Sequence, residues 1–485
     1  MKEVVLINAN TLRPPVSPVG LEYVAEALIH AEIPVRIIDL VFEPDWRAAI
    51  EREIKAGEPL LVGVSLRNTD DCSYISGKSF LVWVRDVVAE VKRHTAAPVF
   101  LGGVGFSIMP ETAVLATGAD GGINGDGEDA IVWLARALLA GDPYDSLPNL
   151  VLRSDGNITV NRREEVDLAA MPVHTRRVFD NRRYEAEGAM VGIETKRGCR
   201  QACVFCADPV AKGKRIRLRP PELVAQEFAS LVEQDVTWFH MGDAEFNLPV
   251  KHAKAVCKAL IAAGLGDKIH WYAYCSPVPF DKEMAILAKR SGCAGINFGV
   301  DSLDDGQLDR LGKSYCSYNV ERLADLLHRA RINYIFDLLI GGPGETKETV
   351  GTTVERVRQF KAKAAGIALG VRVYPGTEFG RRVAGGKVKK GLHPEGPVEP
   401  GTPLFYVSPA LGKDPVGYVR RLVGDDPRFM LLASPGEEGS YNYAGDDLLT
   451  KLIQEGARGA YWDILSRHSR EKVTSDKEQA PNNVQ

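Results

Sequence analysis

Three cysteines fall within eight residues, in the run Cys199-Arg-Gln-Ala-Cys203-Val-Phe-Cys206. Soft thiolates at this spacing on one tight loop can hold three corners of a cubane iron–sulfur cluster. Three ligands for four irons leave one iron open, and an open metal position can chelate a small molecule. The alternatives are three reduced thiols packed in a loop, or part of a zinc site. Zinc would want a fourth ligand close by, and no His or Cys lies close downstream in the loop.

The other cysteines, Cys72, Cys257, Cys275, Cys293 and Cys316, are scattered. Eight in 485 residues is ordinary usage and no disulfide scaffold. The start, MKEVVLINAN, is too short and too soon polar for a signal peptide and reads as a buried first strand. The thiols are therefore expected to stay reduced, in the cytoplasm. No apolar run reaches the ~20 residues that cross a bilayer, so no membrane span is expected. Sixty basic against 64 acidic residues leave a net charge of −4. That argues against nucleic acid or an anionic membrane as partner, and leaves room for a small anionic cofactor. With 45% apolar and 26% charged residues the chain is globular, and its length suggests about three domains.

Elements must position the cysteines. Residues 1–150 alternate short β-branched strands (4–7, 35–38, 61–64, 99–101, 122–123) with amphipathic helices (21–30, 79–94), which argues for a doubly wound parallel sheet. Ligands of such sheets sit beyond the carboxyl ends of the strands, and those ends are small, polar or glycine-rich here. Residues 151–190 read as a connector with a basic run, Arg176, Arg177, Arg182 and Arg183. Residues 191–385 resume the alternation. Strands ending near Glu194, Met241, Tyr274, Val300, Ile340 and Tyr374 make six units, enough for an open α/β barrel, with the cysteine loop at its mouth. Residues 386–485 read as a small mixed domain with a helix near 446–456 and a disordered tail.

The cysteine motif resembles the signature of the radical S-adenosylmethionine (SAM) superfamily. That resemblance implies a [4Fe–4S] cluster on Cys199, Cys203 and Cys206, with SAM chelating the open iron. Further segments are similar to the family in order. Phe205 is the aromatic before the third cysteine. Gly242, Asp243 and Glu245 fall where the family contacts the SAM amino group, and Asp301 and Ser302 where it contacts the ribose. Gly341 lies in the glycine-rich segment beside the adenine, and Arg372 on the last barrel strand. Asp243 departs from a common Gly, and Asp301 from a common Glu.

A flavodoxin-like sheet ahead of such a barrel resembles the cobalamin-binding class. The matching positions are Ser17, Pro18, Val19 and Gly20; Ser65, Leu66, Arg67, Asn68 and Thr69, expected to face the corrin; Gly102, Gly103 and Gly105; and Gly127 and Glu128. The D-x-H-x-x-G motif is absent. Only His30 and His94 precede residue 150, on predicted helices where they read as surface residues, so cobalt is expected to lack a protein histidine. The alternative reading of Arg67 is a simple pairing with Asp70 or Asp71. A methylthiotransferase would carry three N-terminal cysteines where this chain has Cys72 alone, and no G-x-G-x-x-G follows the first strand to suit a nicotinamide.

The closing segment, with Tyr441, Tyr443, Tyr461 and Trp462, is similar to the subgroup that includes the tryptophan C2-methyltransferase of thiopeptide biosynthesis. Those aromatics either line a substrate pocket or belong to the core. The resemblance implies a methyltransferase that moves a methyl from SAM through methylcobalamin to a carbon of a small-molecule or peptide substrate. It also implies an electron donor such as flavodoxin or ferredoxin. A cobalamin-using cyclase or ring-rearranging enzyme, and polar methyl transfer to an aromatic carbon, are the alternatives within the class. A cobalamin sensor with an inert barrel would have no reason to keep the cysteine triad. No general acid or base is assigned; Arg67 and Glu245 are the candidates.

Overall fold

The computed structural model describes residues 2–154, 156–431 and 447–468, and the backbone of two short strands at 439–440 and 443–444. The first sheet holds β1 (Lys2–Asn8), β2 (Val35–Asp39), β3 (Glu58–Ser65), β4 (Val99–Gly102) and β5 (Gly121–Ile123) in the spatial order β2-β1-β3-β4-β5, all parallel. This is the flavodoxin order, with its switch point between β1 and β3. The strands are buried on both faces. Helices Trp46–Lys55, Leu81–His94 and Pro110–Thr117 cover one side, and Val19–His30 and Glu128–Ala140 the other.

The sheet does not stop at residue 150. A hairpin, β6 (Leu150–Ser154) and β7 (Asn157–Val160), extends it by two antiparallel strands, so the expected connector begins as part of the first domain. The basic run beyond it is no solvated face throughout. Arg176 is fully buried, with Nε on Glu22 at 2.7 Å and Nη1 on Glu227 at 2.8 Å. It ties a helix of the first sheet to a helix of the barrel.

The barrel sheet is also parallel throughout: β8 (Val191–Ile193), β11 (Trp238–Met241), β12 (His270–Cys275), β13 (Cys293–Asp301), β14 (Tyr334–Ile340) and β15 (Ala365–Leu369). A two-strand pair, β9 (Lys196–Arg197) and β10 (Arg217–Leu218), lies between β8 and β11 in sequence. Two expectations change. The sixth strand ends at Leu369, not near Tyr374; residues beyond it form a separate antiparallel sheet of β16 (Val371–Arg372), β17 (Leu392–His393) and β18 (Phe405–Tyr406). A seventh parallel strand, β19 (Phe429–Leu431), comes from the supposed C-terminal domain and pairs with β15.

Trp462 fills the floor of this barrel. It is 1% exposed, packs with Tyr272 and Ile335, and donates through Nε1 to Asn297 Oδ1 at 2.8 Å. Asp463 accepts from Tyr272 Oη at 2.8 Å. Trp462 is therefore core at the end of the barrel away from the cysteines. Tyr461 is half-buried against the helix Asp447–Gln454. The side chains of Tyr441 and Tyr443, and the expected tail, lie outside the described residues.

Candidate active site

The cysteine loop leaves β9 through Gly198, at φ 89°, where a Cβ would stand 2.1 Å from the Arg215 carbonyl oxygen. Only glycine fits that approach. Cys199 N–H donates to Gly213 O at 3.2 Å, Val204 N–H to Leu311 O at 3.1 Å, and Phe379 N–H to Val204 O at 2.8 Å. The loop is thus clasped from three directions. Cys199 is buried, Cys203 and Cys206 are half-buried, and none forms a disulfide. Burial pushes all three thiols up. Thiols held so need a bound cation to become thiolates. Among the described residues no three His, Cys, Asp or Glu side chains converge as a single ion would need. Three thiols on one short loop suit separate irons of a cubane cluster.

Asp243 positions the loop stem. Its Oδ1 accepts from the Thr195 and Lys196 amides at 2.8 and 3.2 Å, and its Oδ2 from Thr195 Oγ1 at 2.5 Å. Both oxygens are engaged within the chain. Ser302 is likewise engaged, with Thr353 Oγ1 at 3.0 Å and the Asp304 amide at 3.2 Å. Gly342 and Gly341 donate their amides to Glu345, whose carboxyl burial pushes up to about 7. Gly242 N–H donates to Ile193 O at 2.7 Å, continuing the sheet. Arg372 is held by Asp70 of the first domain.

Beside Cys203 stands a buried group that no motif announced. Lys313 forms an ion pair with Asp301 and lies 5.6 Å from the Phe205 ring centroid and 5.9 Å from that of Tyr315. Tyr315 Oη donates to Gly299 O at 2.6 Å. Asp301 occupies the left-handed region, φ 59°, and burial raises its carboxyl despite Lys313. Glu245 is half-buried, its carboxyl pushed up to about 8 chiefly by desolvation, and its Oε2 has no hydrogen-bond partner. An orphaned carboxyl oxygen beside the cysteine loop suits a donor brought by a ligand, such as an ammonium group.

The second part of the site is a cavity of about 300 Å³ beyond the carboxyl ends of β1, β3, β4 and β5. Ser17, Pro18, Val19, Gly20, Ser65, Arg67, Gly102, Gly103, Gly127 and Glu128 line it. Glycine-rich walls at the switch point of a doubly wound sheet suit a large planar cofactor. Leu66 and Asn68 instead line an adjoining small cleft. Thr69 is buried, donating to Asp70 Oδ2 at 2.8 Å. Gly105 packs against the loop backbone, where a Cβ would be 2.8 Å from the Asn68 carbonyl carbon. No described residue lining the cavity is histidine. His30 is exposed, and His94 bonds Glu90 at 2.9 Å.

The two parts share a wall. Glu194, Arg197, Lys212 and Gly242 of the barrel also line the cavity. Arg197, next to the cysteine loop, reaches Glu128 at 2.5 Å, Glu194 at 2.9 Å and Asp126 at 3.1 Å. Glu128 is thus engaged by an arginine. Burial pushes Glu194 up, but Arg197 and Lys212 outweigh it and hold it well below the usual carboxylate range. Arg67 also acts across the wall: burial and then the Arg67 charge lower His240 on β11 to about 4, leaving a neutral imidazole edge-on to Tyr274 at 5.4 Å.

A B12-type sheet joined to a barrel with a three-cysteine loop defines a cobalamin-dependent radical SAM enzyme. Residues 193–357 match the radical SAM superfamily and residues 5–135 the B12 binding domain. The tryptophan 2-C-methyltransferase of Streptomyces laurentii is 32% identical, over 95% of both chains. The solved radical SAM methyltransferase TsrM of Kitasatospora setae, with tryptophan and a SAM analogue bound, is 29% identical with a TM-score of 0.89, covering 99% of this chain and 100% of that one. Another structure of it holds cobalamin and a [4Fe–4S] cluster. The cobalamin-dependent SAM radical enzyme OxsB, 14% identical with a TM-score of 0.68 over 84% of this chain and 64% of its own, shares the fold alone. The chain belongs to the cobalamin-binding radical SAM methyltransferases, in the branch of the tryptophan 2-C-methyltransferase. Its cofactors are a [4Fe–4S] cluster, cobalamin and SAM.

Proposed function

We propose that this enzyme methylates a carbon of a small aromatic substrate, an indole such as tryptophan or a close derivative. The observation that carries the reading is the full-length likeness to the tryptophan 2-C-methyltransferase and to the tryptophan-bound TsrM structure, with Arg67 lining the cobalamin-side cavity where it meets the barrel. A substrate in the barrel mouth then lies between that cavity and the cysteine loop. Bound there, the cofactors supply a methyl group on cobalt, a SAM molecule to renew it, and reducing electrons. The chain supplies the rest. Cys199, Cys203 and Cys206 hold the cluster. Glu245 receives the SAM ammonium, and Asp301 with Lys313 fixes a polar edge of the same ligand. Asp243 positions the loop without touching it. Gly102, Gly103 and Gly127 let the corrin approach the backbone.

Neutral His240, Tyr274 and the buried walls exclude water from the reacting carbon. The domains are proposed as 1–160 for cobalamin and 191–431 for the barrel, with residues after 446 closing its floor. Reduced thiols and a need for an acidic electron carrier such as flavodoxin or ferredoxin suit the cytoplasm. No described helix is long and apolar enough to cross a membrane.

Anaerobic incubation of the reconstituted enzyme with SAM, cobalamin, a reductant and tryptophan tests the proposal. Mass spectrometry should find the gain of one methyl on the indole ring. Iron-loaded, cobalamin-loaded enzyme that leaves tryptophan and simple indoles unmethylated would overturn the substrate class. A ring-rearranged product without a methyl would favour the cyclase alternative.

A further inference from the structure

The segment Arg381-Arg-Val-Ala-Gly-Gly-Lys-Val-Lys-Lys390 carries five basic and no acidic residues, in a chain whose net charge is −4. It is sewn to the cysteine loop. Phe379 N–H donates to Val204 O, and Val383 and Val388 pack into the apolar cluster around Val204 and Phe205. Arg381, Lys387, Lys389 and Lys390 are exposed. Two further exposed cations flank the loop. Arg200 lies within it, and Lys214 follows Gly213, whose carbonyl accepts from Cys199.

Nearby acids offset only part of this charge: Asp208, two residues past Cys206, is half-buried and acts on that thiol. Glu378 is paired with Arg382, and Glu165 with Arg215, which leaves the six cations named above in excess. Glu395 and Glu399 lie on the strand of chain leading away to the first domain, where Gly401 O accepts from Ser79 Oγ at 2.9 Å. Inside the ring, Ala202 is exposed and Cys203 and Cys206 are half-buried, so the cluster position comes near the surface there. None of the six cations lines the cobalamin-side cavity.

We propose that this ring of cations is the docking surface for an acidic one-electron carrier protein, which rests on the functional reading above. A positive rim around a redox centre steers a negative partner into short-range contact. The partner's reduced flavin or iron–sulfur centre loses one electron and is oxidised, and the cysteine-bound cluster gains it. No bond is made and no proton need move. An acidic peptide substrate is the less favoured occupant, because it would have to reach the cobalamin-side cavity, which none of these cations lines.

The test is binding of flavodoxin to the full chain, with and without its cluster, by titration calorimetry. Lys387→Glu/Lys389→Glu/Lys390→Glu should weaken binding about tenfold or more, and high salt should do the same to the wild type. Lys214→Glu, on the other flank, should give a smaller loss in the same direction. Stopped-flow reduction of the loaded enzyme by reduced flavodoxin should slow in parallel, while reduction by methyl viologen, a small cation, should not.

The proposal is overturned if the triple variant binds flavodoxin like the wild type, or loses no more than Lys268→Glu/Lys282→Glu/Lys289→Glu, in the turn before β12 and on the helix Lys282–Arg290. It is also overturned if flavodoxin binding survives and binding of an acidic peptide is lost. Should the triple variant lose its cluster, binding to the cluster-free chains decides. Wild-type enzyme that binds flavodoxin yet methylates nothing with any reductant would remove the functional reading and leave the docking result standing.

Discussion

Arg372 and Asp70 lock two domains together across the active site: Arg372 Nε and Nη2 each lie 2.8 Å from Asp70 Oδ2, with the guanidinium 8% and the carboxylate 0% exposed. Asp70 belongs to the loop that also carries Arg67, so the pair fixes where that loop stands over the barrel. Asp70 is thereby engaged by the barrel.

Removing one partner leaves an uncompensated buried charge, which costs about 3–5 kcal/mol. Asp70→Ala and Arg372→Ala should each lower the melting temperature strongly. The double variant should lose less than the sum, because neither charge is then stranded. Strictly additive losses in urea melts would contradict the coupling.

Replacing Cys199, Cys203 and Cys206 together by Ala should abolish iron binding. Each of Cys72, Cys257, Cys275, Cys293 and Cys316 should be replaceable with iron retained, as these five stand outside the loop. Iron analysis of anaerobically purified protein decides, and a triple variant that keeps about four irons would end the assignment.

Asp301→Asn keeps a residue that tolerates the left-handed backbone but removes the charge that holds Lys313. Losing one charge-assisted contact of roughly 1.5–3 kcal/mol should weaken SAM binding about tenfold or more. Helix capping does not compete as an explanation, since Asp304, not Asp301, caps the helix Asp305–Arg310. A titration of SAM on the folded fraction, beside a melting curve, checks it. Unchanged affinity would assign Asp301 to structure alone.

Glu345 supplies a pH test away from the metal. Its folded value, about 7, stands above the ordinary value of 4.5. The folded state therefore keeps its proton where the unfolded chain has lost it. The stabilisation is complete below about pH 4.5 and is lost as pH rises to about 7, by about 3 kcal/mol in total. Urea melts across that range should show a falling stability in the wild type and a flatter profile in Glu345→Gln. Parallel profiles would refute the shift.

Much of this was legible in the sequence because the strongest signals are local. The cysteine spacing, the β-branched strands of the first sheet and the glycines at their ends each lie within a few residues. What was missed depends on tertiary closure. The β6–β7 hairpin is largely exposed at the sheet edge, so no apolar run marks it. β19 is three residues long and is recognisable only from its partner β15. Lys313 and Tyr315 sit in a plain Gly-Lys-Ser-Tyr stretch and acquire meaning only beside Cys203. Asp243 and Ser302 stand at strand ends, and only the folded chain brings the groups that engage their oxygens.

The Trp462 floor has a consequence for how the molecule is made. The indole that closes the barrel lies 165 positions after the Asn297 side chain it bonds. Nearly the whole chain must leave the ribosome before that end of the barrel is sealed, and a contact this distant in sequence is slow to form. A copy clipped before residue 457 would keep all three cluster cysteines and both cofactor-facing walls, yet carry a barrel open to water from below. Iron content alone would pass such a copy as intact.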